Sequence, residues 1–395
     1  MQGLNREASR RVFKALGLML LAGLLLKAGC VWFMRTDGDR IVQGEERSDL
    51  IARRDYLQHR LEGTFEYQAM TPGGDLFLGE WALGALSMTA AATTNLAFTF
   101  ADTRAEALDR LPRLIDRAMQ GEARAFDQRQ WGEDPLETLQ TDHGHLGYLG
   151  HFNLMLGGYR ALGGDHRYDA LHRRITEAMA RRMDRSVSAH VETYRGEIYT
   201  SDNSTAAASI AVYDLVSGEN HGATLQRYVQ YTRAHLLDER TGLVVFKVDE
   251  QGRPQGAPRG CGVGWNSFYL PFVDETFAAE QYARIKQHMV KRLWFGMVGI
   301  REYPVGVAGF GDVDSGPVLL ELSTSGTGFA MAGARRAGDG KLLRELLDTG
   351  EIVGTSVQWA GRRRYLLAPL VGDAIVLAMK TATRWDRRYL DSQTP

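Results

Sequence analysis

Six apolar runs rich in alanine, glycine and serine recur along this sequence at intervals of roughly 50 to 60 residues. They cover residues 81–98, 147–162, 204–216, 264–277, 316–335 and 366–383. Small side chains let helices approach closely, so these runs read as an inner layer. Between them lie charged segments with apolar residues at helical intervals, at residues 104–120, 168–183, 223–237, 279–290 and 340–347, which read as an amphipathic outer layer. Six inner helices alternating with six outer ones describe an all-α chain, an (α/α)6 toroid built from helical hairpins. An open solenoid has the same local signature; six hairpins favour the closed ring. Short β pieces are expected at residues 242–248 and 354–359, and residues 253–262 read as a Pro- and Gly-rich loop.

A chain of 395 residues, 44% hydrophobic, can bury one large repeat-built core. Its formal charge of −1 is spread evenly, with none of the basic stripe that phosphate neutralisation requires, so nucleic acid is not an expected partner. Only Cys30 and Cys261 are present, too few for a disulfide framework or a thiolate zinc site.

Residues 12–34 form an apolar stretch preceded by Arg6, Arg10 and Arg11, with Lys14 at its start. That pattern predicts a single membrane-spanning anchor or export signal, with residues 1–11 in the cytoplasm and the rest outside, in the bacterial case at the inner membrane facing the periplasm. Lys27 snorkels toward the interface in this reading. A lipid anchor on Cys30 and a helix buried in the domain are the alternatives; the stretch lacks the polar face a surface helix of the domain would show. Residues 35–50 read as a linker, 51–386 as the toroid and 387–395 as a C-terminal tail.

Polar clusters precede most of the inner runs, and in a toroid they converge on the axis. Asp142, His143, His145, Tyr148 and His151 form the densest one, and groups of this kind in a water-poor cleft suit proton transfer. Asp202 and Asn203 precede a run of small residues, where helix capping is the plain alternative. Asp312 and Asp314 supply one loop group and one cleft acid. Glu80, Trp81, Tyr199, Trp265, Asn266, Phe268 and Tyr269 are candidate wall residues. His143, His145 and His151 beside an aspartate are a familiar transition-metal set, but Gly144 and Gly147 break the regular helix that an i, i+4 ligand pair needs. Neither a metal nor a cofactor is expected.

Several segments carry a resemblance: Gly150 to Met155 with Gly157 and Tyr159, Asn203-Ser204, Val212-Tyr213-Asp214, Tyr282 to Gln287, Arg364-Tyr365, and Leu377-Ala378-Met379-Lys380. Over about residues 131–381 the chain resembles the linalool dehydratase/isomerase family, whose founding member interconverts linalool, geraniol and myrcene without a cofactor. The resemblance implies the (α/α)6 fold and gives His151 the place of an active-site histidine. Asp202 stands where the family has a cysteine, a second family cysteine falls near Thr193, and a cleft tyrosine falls near Gly264.

The expectation is a membrane-anchored, cofactor-independent lyase or isomerase of the hydro-lyase kind, acting by acid/base catalysis on an alcohol-type substrate. Asp202 and His151 form its proton-transfer centre. Asp142, His143, Tyr148 and Asp314 orient or protonate the leaving hydroxyl, while Glu80, Trp81, His145, Tyr199, Asn203, Trp265, Asn266, Phe268 and Asp312 bind the substrate. A glycoside hydrolase or polysaccharide lyase acting on envelope glycan is the alternative, and a non-catalytic binding protein the third reading. The expected partners are a small-molecule or glycan substrate and the membrane, with oligomerisation left open.

Overall fold

Alanine, glycine, serine and threonine dominate the helices nearest the axis because each of those helices is flanked by two others and has little room for side chains. The computed structural model describes residues 2–34, 40–41, 43–63, 79–294 and 296–386; the tail at 387–395 and part of the linker lie outside them. Among the described residues the inner helices are α3 (Glu80–Thr99), α6 (Leu146–Ala161), α8 (Thr200–Ser217), α10 (Gly260–Val273), α12 (Thr324–Arg336) and α14 (Leu370–Lys380). Each packs on the next, and α14 packs on both α12 and α3, so the ring closes. This is a toroid and not an open solenoid.

The outer layer consists of α2 (Arg47–Glu62), α4 (Arg104–Ala118), α7 (Asp169–Arg185), α9 (Gly222–His235), α11 (Glu275–His288) and α13 (Gly340–Gly354), with α5 (Gly121–Trp131) between α4 and α6. Its helices are one-sided: α4 buries Ala107, Leu111, Leu114, Ile115 and Ala118, the 3.6-residue period of a helix lying on a core. The sixth outer position is filled by α2, which starts within the stretch read as linker and packs between α14 and α3.

Three inner boundaries differ from the sequence reading, the first being α10, which starts at Gly260 inside the stretch read as a loop and ends at Val273. Residues 318–323 form β6 (Val318–Leu319) and β7 (Leu322–Ser323), arms of an antiparallel sheet ordered β4-β5-β7-β6 with β4 (Val290–Arg292) and β5 (Val298–Arg301). Helix α12 therefore starts at Thr324, where the Ser323 side chain caps the Gly326 N–H. Helix α14 starts after Pro369, whose extended backbone begins the last turn into the ring. The β piece near 242–248 contracts to β2 (Lys247–Val248), between β1 (Ile198–Tyr199) and β3 (Pro254–Gln255), and β8 (Ser356–Trp359) pairs with β9 (Arg362–Tyr365).

The close approach of α10 and α12 rests on glycines. A Cβ added to Gly326 would come within 2.7 Å of the Gly260 carbonyl carbon and 3.1 Å of the Cys261 nitrogen, all backbone that cannot swing aside. Gly326→Ala is expected to cost about 1–3 kcal/mol, read as a lowered midpoint in urea unfolding.

Buried charge closes the seam between the two ends of the ring. Lys380 Nζ lies 2.6 Å from Asp49 Oδ2, and Arg53 Nε donates to Asp49 Oδ1 at 3.0 Å. Arg53 also reaches Glu351 at 3.0 Å, and its guanidinium lies 4.2 Å above the Tyr365 ring, whose hydroxyl donates to Glu351 at 3.1 Å.

Helix α1 (Gln2–Met34) precedes the ring. Residues Arg10–Gly29 within it are long and apolar enough to cross a membrane, and none of that stretch is buried against the rest of the chain.

Candidate active site

All six inner helices present their N-terminal halves to one cavity of about 320 Å³. Glu80, Trp81 and Leu83 come from α3, Gly147 and His151 from α6, Ser201 and Asp202 from α8, Cys261 and Trp265 from α10, Phe329 from α12, and Val371 and Ile375 from α14. Loops above the rim add Tyr194, Phe246, Asp312 and Asp314, and β1 adds Tyr199. Four carboxylic acids thus line a wall otherwise made largely of aromatic and aliphatic side chains: Asp312, which pairs with Arg259, and the three whose protonation burial sets, Glu80, Asp202 and Asp314.

Burial decides the protonation of these acids. Glu80 is raised to about 8, first by desolvation, then by the charges of Asp314 and Asp202. Asp202 is raised to about 7 by desolvation and then Asp314, although the Thr193 hydroxyl donates to its Oδ2 at 2.9 Å and favours the anion. Asp314 is raised to about 6 by desolvation and the neighbouring Asp312, with Arg259 pulling the other way. Each acid keeps some accessible surface because it faces the cavity, yet protein surrounds it on every other side. The N-terminal helix dipole at Glu80 and Asp202 favours the charged form by at most ~2 kcal/mol. A rise of three pH units corresponds to about 4 kcal/mol, so desolvation prevails. The Tyr194 hydroxyl faces Glu80 and favours its anion, but the two fall short of a well-formed hydrogen bond.

His151 is buried, and its Nδ1 lies 2.9 Å from Ser87 Oγ. Desolvation lowers it to about 4, so the imidazole is neutral near pH 7. Trp265 meets it edge-on at 5.2 Å and is itself fixed by donating Nε1 to Thr205 Oγ1 at 2.8 Å. Asp312 is the loop group of its cluster: it receives Arg259 Nη2 at 2.6 Å and accepts the Asp314 and Ser315 N–H groups.

Several expected site residues do not reach the cavity. Asp142 is exposed and paired with Arg185 at 2.7 Å, and His143 is exposed against Glu133, because the loop carrying them turns outward ahead of α6. His145 is buried behind the wall on Asp127 at 2.5 Å, so His143, His145 and His151 do not share one metal. Tyr148 lies on the opposite face of α6 and donates to the Ala118 carbonyl at 3.0 Å, which makes it packing for α4. Asn203 is no helix cap. Its amide accepts from Val191 N at 2.8 Å and donates to Val191 O and Tyr199 O, tying β1 to the loop before it. Phe268 is core, packed on Tyr269 and Phe272. Asn266 is buried, and its Oδ1 has no hydrogen-bond partner among the described residues.

Cys261, Tyr194, Phe246 and the Arg259–Glu302 pair are site groups the sequence reading missed. Cys261 Sγ contacts Glu302 Oε1 at 3.3 Å, and Arg259 Nε bonds the same oxygen at 2.6 Å. Burial, with the Glu302 charge behind it, raises the thiol well above its ordinary value, so it is a neutral wall group. A lone cysteine inside a glycine-rich stretch carried no signal of this.

The architecture defines the class, a closed α/α toroid with an acid-lined axial cavity. Comparison with known proteins makes the assignment specific: the chain belongs to the linalool dehydratase/isomerase family, whose sequence model matches residues 146–365, more than half its length. Among solved structures it is similar to a glycoside hydrolase from family 105 of C. acetobutylicum ATCC 824, at 12% identity and a TM-score of 0.46, covering 75% of this chain and 92% of that one. A likeness at that level carries nothing about substrate.

Two departures from the family pattern acquire geometry here. Asp202, where the resemblance implies a family cysteine, and Thr193, near which it implies the second, face each other through a hydrogen bond. At Gly264, near which the resemblance implies a family tyrosine, even a Cβ would meet the Gly326 carbonyl oxygen at 2.9 Å and Phe329 Cβ at 3.0 Å, so this position has no room for a side chain.

Proposed function

We propose that this protein is a membrane-anchored lyase or isomerase that removes water from an apolar alcohol by acid/base catalysis and needs no cofactor. One observation carries the reading: three acids with graded proton affinities share one largely apolar cavity. Environments that push neighbouring carboxyl groups apart divide the roles of acid and base. Glu80, neutral near pH 7, protonates the leaving hydroxyl. The C–O bond breaks and water departs. A proton on the adjacent carbon passes to a carboxylate, Asp314 or the half-ionised Asp202, and its C–H electrons form the new double bond. Neutral His151, held by Ser87, orients the hydroxyl without adding charge. Trp81, Trp265, Phe246 and Phe329 suit the hydrocarbon part of such a substrate.

Membrane attachment rests on α1, with its basic residues ahead of the apolar stretch and the toroid outside the cytoplasm. Protease protection of the toroid in spheroplasts, with degradation only after lysis, would contradict that orientation.

Incubation of the full chain with linalool and geraniol, followed by analysis for myrcene, tests the chemistry. Product formation that disappears in Asp202→Asn supports the assignment; glycan cleavage without alkene formation replaces it with the glycosidase reading. In the first case kcat/KM rises with pH through about 6 as the base ionises. It falls above about 8 as Glu80 loses its proton. Because the acids interact, the limbs belong to the set as a whole. A profile flat from pH 5 to 9 would remove all three from the mechanism.

A further inference from the structure

Behind the cavity wall, Glu133, His143 and His145 aim three potential ligand atoms at one another, all within 4.8 Å. His143 Nδ1 lies 2.5 Å and His145 Nε2 3.1 Å from the same Glu133 oxygen. We propose that this cluster binds a divalent transition ion of the zinc type, with His143 Nδ1, His145 Nε2 and Glu133 as its protein ligands and solvent completing the set. Two imidazoles and one carboxylate are a recurring zinc donor combination.

The surroundings are built as metal sites usually are. The other ring nitrogen of His145 sits 2.5 Å from Asp127, a fully buried carboxylate whose second oxygen has no hydrogen-bond partner among the described residues. A carboxylate in that place fixes the ring and leaves the far nitrogen free to bind a cation. Trp131 stacks on the His143 ring at 5.7 Å and lies tilted against the His145 ring at 4.6 Å, packing against both imidazoles. Arg182 fixes the loop by donating to the carbonyls of Thr138, Thr141 and Gly144. His143 is half exposed, which gives an ion a way in, while His145 is sealed.

The site has a route to the cavity. Trp131 Nε1 lies 3.4 Å from the carbonyl of Thr193, whose hydroxyl holds Asp202, and the ligand loop leads directly into α6, which carries His151. The bound ion would fix that wall and take no part in bond breaking.

The test uses the full chain in detergent, free of any histidine tag, stripped with chelator and titrated with Zn²⁺ by calorimetry, with Co²⁺ absorption reporting ligand geometry. One ion per chain, a higher melting temperature on loading, and at least a tenfold weaker affinity in both His143→Ala and Glu133→Gln are expected. Both variants alter surface-accessible residues, so folding survives. No binding, or binding unchanged in the two variants, overturns the site and leaves a histidine–glutamate hydrogen-bond cluster. None of these readouts depends on turnover, so failure here is separable from failure of the proposed reaction.

Discussion

Glu80→Gln lowers turnover of the proposed alcohol substrate by about 10²–10⁴-fold, the range general acid catalysis contributes. Gln keeps the volume and the hydrogen-bonding shape but has no proton to give at neutral pH, so kcat falls more than KM rises. Removing Glu80 leaves the two other acids much as they were, since Asp202 responds chiefly to burial and the Asp314 charge, and Asp314 to burial and the Asp312 charge. The lower limb of the pH profile should therefore survive in the variant while the upper limb disappears. Residual turnover that keeps both limbs would place the acid elsewhere.

The cavity acids also carry a stability cost with a definite sign. A carboxyl whose folded pKa lies above its unfolded one binds more protons when folded between the two values. Stability then falls as pH rises through that window, here from about 4 to about 7 for Asp202. Asp202→Asn is accordingly expected to melt higher than the parent at pH 8 and about equally at pH 4, by roughly 2 kcal/mol after loss of the Thr193 hydrogen bond is allowed for. Thermal unfolding at the two pH values reads this directly.

Arg53→Met destabilises the fold by about 3–5 kcal/mol, because removing one partner leaves its buried counter-charges uncompensated. Arg53 contacts Asp49, Glu351 and Tyr365 on three different elements, so the loss falls on the seam itself. Burial works against ionisation of Asp49, but Lys380, Arg53 and Arg363 outweigh it and hold its carboxyl well below the ordinary range. Its contribution is fully present above the unfolded value near 4 and is lost only as pH falls through the depressed one. Urea unfolding at pH 7 is the measurement; a change below about 1 kcal/mol, the size of a surface pair, would mean the network is solvated in solution.

The ring was legible because its inner helices announce themselves: Ala90, Ala91 and Ala92, or Ala206, Ala207 and Ala208, have no other use at that spacing. The closing helix was not. In α2 the buried set is Asp49, Arg53, Arg54 and Gln58 together with Leu50, Leu57 and Leu61, and polar residues that face inward erase the pattern by which an outer helix is recognised. Within the site, Glu80, Asp202, Asp314 and His151 stood out as titratable groups at the start of apolar runs. Asp142 and His143 shared that sequence position but project outward, since a loop's direction depends on packing between distant segments such as Asp142 with Arg185.

Closure by the two ends of the chain has a consequence during biosynthesis. Asp49 and Lys380 are 331 positions apart, so at ribosomal speeds α2 waits about 15 seconds to a minute for the helix that completes it. Throughout that interval the nascent ring is a crescent with an open apolar edge, and near its start are charges designed for partners not yet made. Damage to the seam should therefore appear first as poor yield and dependence on chaperones, in molecules that, once finished, turn over substrate normally.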